Sequence, residues 1–190
     1  SVAPTTATEN TLYTYDITCT DPGPDTLVLA TSLDTCGGNI ADNGDGTGQY
    51  TFTPDESMGG TACDVGVLCT DDDGGSDLQV TTVNVAEDNQ APSITNLPAT
   101  ESGPVGGADS YDVDASDPDV PADTLTFSLG STTCSFTPSV DPSTGVVSWT
   151  CGASAETCAV SVTVTDDGTP APALSDTEDL TIVCSSVCVV

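Results

Sequence analysis

The chain of 190 residues reads twice through one pattern, and that repetition limits its fold more than any other feature. Thr6-Ala7-Thr8-Glu9 answers Pro98-Ala99-Thr100-Glu101, and Tyr15-Asp16-Ile17 answers Tyr111-Asp112-Val113. Asp21-Pro22 with Asp25-Thr26-Leu27 answers Asp117-Pro118 with Asp123-Thr124-Leu125. Cys36 falls opposite Cys134, Phe52 opposite Trp149, Cys63 opposite Cys158, and Thr70-Asp71-Asp72 opposite Thr165-Asp166-Asp167. Ser76-Asp77 falls opposite Ser175-Asp176, and the offset runs from 92 at Thr6 to 99 at Ser76, a drift that turns can absorb. Two tandem modules are therefore expected, at 1–88 and 93–190. A linker at 89–92 continues the acidic run Glu87-Asp88.

Each module is expected to be all-β. Thr (32 residues) and Val (20) outnumber the straight-chain residues that helices favour, and 18 Gly and 13 Pro break the chain at short intervals. Alternating runs at 12–19, 27–32, 49–53, 63–70 and 78–85, separated by Gly, Pro, Asn and Asp clusters, predict short strands of a sandwich. Asp42-Asn43-Gly44-Asp45-Gly46 reads as a hairpin tip and misses the spacing of an EF-hand loop.

The charge excludes whole classes of function. Asp and Glu number 30 while Lys, Arg and His are absent, a formal charge of −30. Nucleic acid is rejected as a partner, because its binding depends on cations that neutralise phosphate. Anionic membrane surfaces are rejected for the same reason, and no apolar run approaches the ~20 residues that span a bilayer. Without His there is no Ser-His or Cys-His nucleophile, and without Lys no Schiff base. A hydrolase built on two carboxylates remains chemically open, but nothing marks such a pair, so no enzyme is expected.

Several motifs share an order with a known group. These are a Glu in the first strand, Asp117-Pro118-Asp119, the hairpin Asp141 to Trp149, strands ending in Thr-Asp-Asp, and a linker with Asp88-Asn89 followed by Pro92. Together they resemble cadherin repeats, and more closely the Ig-like, dystroglycan-type cadherin-like modules of microbial surface proteins. The resemblance covers nearly all of both modules. It implies two tandem seven-stranded Greek-key β-sandwiches strung end to end outside the cell, with Ca²⁺ at module junctions.

Acid–base chemistry points the same way. Ca²⁺ takes six to eight oxygen ligands, so it needs acidic residues converging from several loops. With no cation in the chain, carboxylates that converge must otherwise repel. The expected ligands at the junction are Glu9, Asp71, Asp72, Asp73, Glu87, Asp88, Asn89, Asp117 and Asp119. A second set, Glu101, Asp166 and Asp167, is expected at the far end of module two, where Cys184-Ser185-Ser186-Val187-Cys188 replaces the acidic linker.

Nine Cys without a CxxC pair predict disulfides and an oxidising, extracellular setting. Cys36 with Cys63, and Cys134 with Cys158, recur as pairs in the two modules. Cys19 and Cys69 are lost together, as Ala115 and Val164, so they are expected to bridge the two sheets. Cys151, Cys184 and Cys188 are left over, and an odd number leaves one thiol free or bonded to another chain, with Cys188 the candidate for an intermolecular bond.

The opening Ser1-Val2-Ala3-Pro4 reads as a processed start. The leading functional expectation is a structural, calcium-stiffened subunit of a microbial surface filament, fibre or layer. Its partners would be itself, head to tail or in a fibre, or other surface proteins. Val183 to Val190 could add as a strand to a neighbouring module, or Cys188 could bond one. The alternative is an adhesin that recognises a protein or carbohydrate, with Tyr13, Tyr15, Tyr50 and Trp149 as sugar-stacking candidates unless they are core.

Overall fold

The computed structural model describes residues 1–23, 25–168 and 170–186, and the chain divides into two compact units, Ser1–Asp88 and Asn89–Val190. In unit 1, one sheet is built from β1 (Thr6–Thr8), β7 (Ser76–Ala86), β6 (Ala62–Thr70) and β3 (Val28–Thr31), in that spatial order. β1 runs parallel to β7, and the other pairs are antiparallel. The opposing sheet is β2 (Tyr13–Thr18), β5 (Thr47–Phe52) and β4 (Asn39–Asp42). Seven strands in two sheets give the expected sandwich. The alternating runs correspond to β2, β3, β5, β6 and β7; β1 and β4, of three and four residues, are too short to show a period.

Alternation builds the core. Along β2 the side chains of Tyr13, Tyr15 and Ile17 are buried while the intervening residues face water. Tyr13, Tyr50 and Phe52 form an aromatic cluster with ring centroids 5.0 to 6.3 Å apart. The Tyr50 hydroxyl donates to Asp34 at 2.8 Å and accepts from the Gly38 N–H at 3.0 Å, which satisfies its polar end inside the sandwich. Burial and the Asp34 carboxylate hold that phenol well above the usual tyrosine range.

Unit 2 repeats the plan. One sheet is β12 (Thr126–Thr132), β15 (Glu156–Thr165), β16 (Ser175–Ser185) and β9 (Thr100–Pro104); the other is β10 (Ala108–Asp112), β14 (Val146–Thr150) and β13 (Ser139–Val140). A short ladder joins β8 (Ser93–Ile94) to β11 (Ala115–Ser116). Trp149, Val147, Val160, Val162, Leu180 and Ile182 fill the centre. All four aromatic residues weighed as sugar platforms are therefore core: Tyr13, Tyr15, Tyr50 and Trp149 are each at most 5% exposed.

The turn after β13 shows how Asp serves the fold without metal. Asp141 accepts from the N–H groups of Ser143 and Thr144, and Gly145 closes the turn at φ +78°. Those donors hold the Asp141 carboxyl below the usual range. The turn's contribution is thus present above the ordinary Asp pKa and is lost as pH falls through the lowered value. An NMR titration should place the Asp141 midpoint below that of model aspartates, and an unshifted midpoint would contradict this account.

Candidate metal centre

Strand register sets both units in one frame. Cys63 lies opposite Val83 and Cys158 opposite Ile182; Cys69 lies opposite Asp77 and Val164 opposite Asp176. In that frame Ala7, beside Val85, corresponds to Gly103, beside Cys184. Glu9 then corresponds to Val105 rather than to Glu101. The backbone agrees: the Glu9 N–H donates to Ala86 and the Val105 N–H to Ser185, while the next residues, Asn10 and Gly106, both have positive φ and donate to Pro54 and Cys151.

Three carboxylates meet at the end of unit 1 where β7 stops. Glu9 follows β1, Glu87 follows β7, and Glu56 opens a 3₁₀ turn (Glu56–Met58) whose N-cap Asp55 accepts from Ser57. One oxygen from each lies within 4.8 Å of the others. Glu9 is fully buried. Its Oε1 accepts from the Asp88 N–H at 2.9 Å, but its Oε2 has no hydrogen-bond partner. Asn10 orients Glu56 by donating to its Oε2 at 2.8 Å. Gly59 leaves the space above the carboxylates open, since a Cβ there would collide with the oxygens of Glu87 and Glu9.

A buried, negatively charged oxygen without a donor is costly, and this chain has no cationic side chain to supply one. Hard oxygen donors converging in this way match the coordination preferences of Ca²⁺. Glu56 escaped the sequence reading. The signal available was an acidic pair, Asp55-Glu56, placed after the buried Pro54 in the turn before β6.

In unit 2, the oxygens at the opposite end of the sandwich plan are partly satisfied by backbone. The Gln90 N–H donates to both oxygens of Asp119 at 3.1 and 3.2 Å. Asp166 accepts from Gly168, Leu174 and the Asn89 side chain. Asp117 accepts from the Asp119 N–H. Asn89 Oδ1 and Asp117 Oδ2 are buried without a hydrogen-bond partner. These bonds place Asn89, Asp117, Asp119 and Asp166 at one end of the unit, but Asp117, Asp119 and Asp166 do not gather within 4.8 Å as the Glu9 trio does.

Three expectations need correction. Asp71, Asp72 and Asp73 do not join Glu87. They occupy the turn between β6 and β7, and the eleven residues of β7 separate that turn from Glu87 by about 33 Å. A hairpin turn lies at the start of its second strand, whereas the linker follows that strand's other end. Asp71 instead groups with Asp21 and Asp25 within 4.8 Å, while Asp72 and Asp73 are exposed. Asp88 contributes its backbone N–H to Glu9, and its side chain is exposed. Glu101 does not join Asp166 and Asp167: it lies beside Ile182, whereas Asp166 follows Thr165, the partner of Ser175, about 23 Å along β16. Asp166 and exposed Asp167 sit at the end of unit 2 that holds Asn89.

Among the described residues four disulfides form: Cys19–Cys69, Cys36–Cys63, Cys134–Cys158 and Cys151–Cys184. The first links the end of β2 to β6 across the two sheets. Cys151–Cys184 does the same at the opposite end of unit 2 and accounts for two of the three leftover cysteines; Cys188 lies outside the described residues. Val183, Cys184 and Ser185 are paired on both sides, with β15 and β9. That removes them from any donated strand.

The molecule is thus an all-β protein of two Greek-key sandwiches with acidic ends. Its fold is that of cadherin extracellular modules in tandem. It is similar to protocadherin gamma B2 extracellular cadherin domains 1–5 (TM-score 0.57, 16% identity, 94% of this chain and 41% of that one). It is also similar to human CDH23 EC21-23 (0.55, 15%, 84% and 58%) and to protocadherin gammaB7 EC3-6 in a cis-dimer structure (0.52, 18%, 93% and 52%). The chain spans roughly half the length of these structures. No family model and no curated protein matches the sequence. Among the described residues no helix is long and apolar enough to cross a membrane.

Proposed function

We propose that this chain is a non-enzymatic, extracellular structural segment: tandem cadherin-fold modules, held by disulfides and stiffened by Ca²⁺, within a surface filament, fibre or layer of a microbial cell. The observation that carries the reading is the carboxylate trio Glu9, Glu56 and Glu87, with Glu9 fully buried and its Oε2 lacking a donor. A divalent ion there supplies the missing positive charge. Because Glu87 and the Glu9-bound N–H of Asp88 are the last residues before Asn89, an ion on the trio also restricts the backbone that leads out of unit 1. Four disulfides accord with an oxidising compartment. Docking to other surface proteins completes the role; self-association in a fibre, with no cationic side chain on either copy, would need a divalent ion or a disulfide between the copies.

Calorimetric titration of the full chain with CaCl₂ should give heat of binding, and thermal unfolding should shift up by several degrees, with both effects abolished by a chelator. At a ligand concentration about 100 times Kd the linkage amounts to ~2.7 kcal/mol. Gly59→Ala should weaken the binding by crowding the Glu9 and Glu87 oxygens. Millimolar calcium that produced neither heat nor a melting shift would overturn the reading. The carbohydrate-binding alternative has lost its stacking residues to the core, so it is not carried forward.

A further inference from the structure

The outer face of the unit 1 sheet formed by β3, β6 and β7 carries an apolar patch that the fold does not require. Register places Ala30, Leu68 and Leu78 in one row across the three strands. The next row sets Gly66 beside Val80, and Val28 flanks the first row along β3. The Ser32–Leu33 backbone crosses over Gly66, where a Cβ would collide with it. Leu33 sits there at φ +56° and is 68% exposed; Val28 is 50%, Val80 45% and Leu78 41% exposed. A bulky residue held at positive φ with its side chain in water is uncommon.

Unit 2 provides the control. In the shared frame Val28, Ala30, Leu68, Leu78 and Val80 correspond to Thr126, Ser128, Thr163, Thr177 and Asp179. The same sheet therefore folds with hydroxyls and a carboxylate on that face. The apolar rows of unit 1 are also bracketed by acids, with Asp64 beyond Gly66 at one end and Asp72 and Asp73 in the turn at the other.

We propose that this face is a docking surface for a second protein whose apolar contact is rimmed by Lys or Arg. The occupant follows from charge. A second copy of this chain brings 30 more carboxylates and not one cationic side chain, so like charges would face each other at contact range, where salt screens poorly. A cation-rimmed apolar surface satisfies both the rows and their acidic brackets. This inference is independent of the metal.

The probe is an amphipathic helical peptide of Leu and Lys, titrated into the isotopically labelled full chain. Shifts are expected at the amides of Ala30, Leu68, Leu78 and Val80. The variant L78T/V80D installs the residues of unit 2, and it should bind the peptide at least ten-fold more weakly while melting normally; Val28→Thr provides a milder test should the double variant fold poorly. Val80→Asp adds negative charge, so a purely electrostatic peptide would bind the variant more tightly. Unchanged or tighter binding to these variants, equal binding of a Leu/Glu peptide, or shifts at these amides produced by raising protein concentration alone would each overturn the proposal.

Discussion

Glu9→Gln is expected to destabilise unit 1 in calcium and to stabilise it in a chelator. With oxygens of Glu9, Glu56 and Glu87 within 4.8 Å of one another, each carboxylate pair repels by roughly 3 kcal/mol at an effective dielectric near 20. A metal turns that repulsion into the reason for binding. Gln keeps the acceptor that receives the Asp88 N–H, and its amide can donate toward the neighbouring carboxylates. In the absence of divalent ions the substitution should therefore raise stability by about 1–3 kcal/mol, once residual desolvation is set against the removed repulsion. In calcium it removes one charged ligand, and affinity should fall by about tenfold or more. Differential scanning calorimetry in the two buffers reads both signs. A substitution that destabilised equally in both would mean that Glu9 serves packing alone, and the metal proposal would fall with it.

How much of this was legible in the sequence differs by level. The sandwich was legible because alternation such as Tyr13-x-Tyr15-x-Ile17 reports burial one residue at a time, and three disulfide pairs were legible because they recur or vanish together between the modules. The placement of ligands was harder. Reading Glu9 against Glu101 matched letters, whereas the parallel register of β1 and β9 on their neighbours matches Glu9 to Val105, four residues away. Asp71 misled for another reason: its turn does lie at an end of the sandwich, but at the end opposite the linker, the whole length of β7 away. Glu56 was invisible because a lone turn in front of β6 has no periodicity to announce which end of the sandwich it reaches. The frame supplied by register also explains why, among the described residues, the far end of unit 2 has no carboxylate trio. Val105 and Ser186 stand where unit 1 has Glu9 and Glu87. Ala153 stands two residues after Cys151, as Glu56 does after Pro54.

That substitution of chemistry leads to the second large effect. At the end where unit 1 gathers three carboxylates, unit 2 closes its sheets with Cys151–Cys184, whose partners correspond to Pro54 and Val85. The double variant C151A/C184V should cost unit 2 about 2–4 kcal/mol, the usual loss of denatured-state restriction for a loop of this size. At about 4–8 °C per kcal/mol for a domain of this length, its transition should fall by roughly 10–30 °C. The decisive comparison is with calcium. Any ions that unit 2 binds through Asn89, Asp117, Asp119 and Asp166 act at its other end, and distant sites contribute additively. Calcium should therefore raise the parent and the variant by the same amount and leave the gap between them unchanged. The matched variant C19A/C69V, which installs the residues that unit 2 carries at Ala115 and Val164, should cost unit 1 a similar amount while leaving calcium affinity at the Glu9–Glu56–Glu87 trio intact, because Cys69 lies near the start of β7 and the trio at its end; the bridge flanks only the separate Asp21, Asp25 and Asp71 group. A loss below about 1 kcal/mol for C151A/C184V, or its complete repair by calcium, would show that the disulfide does not replace the metal end.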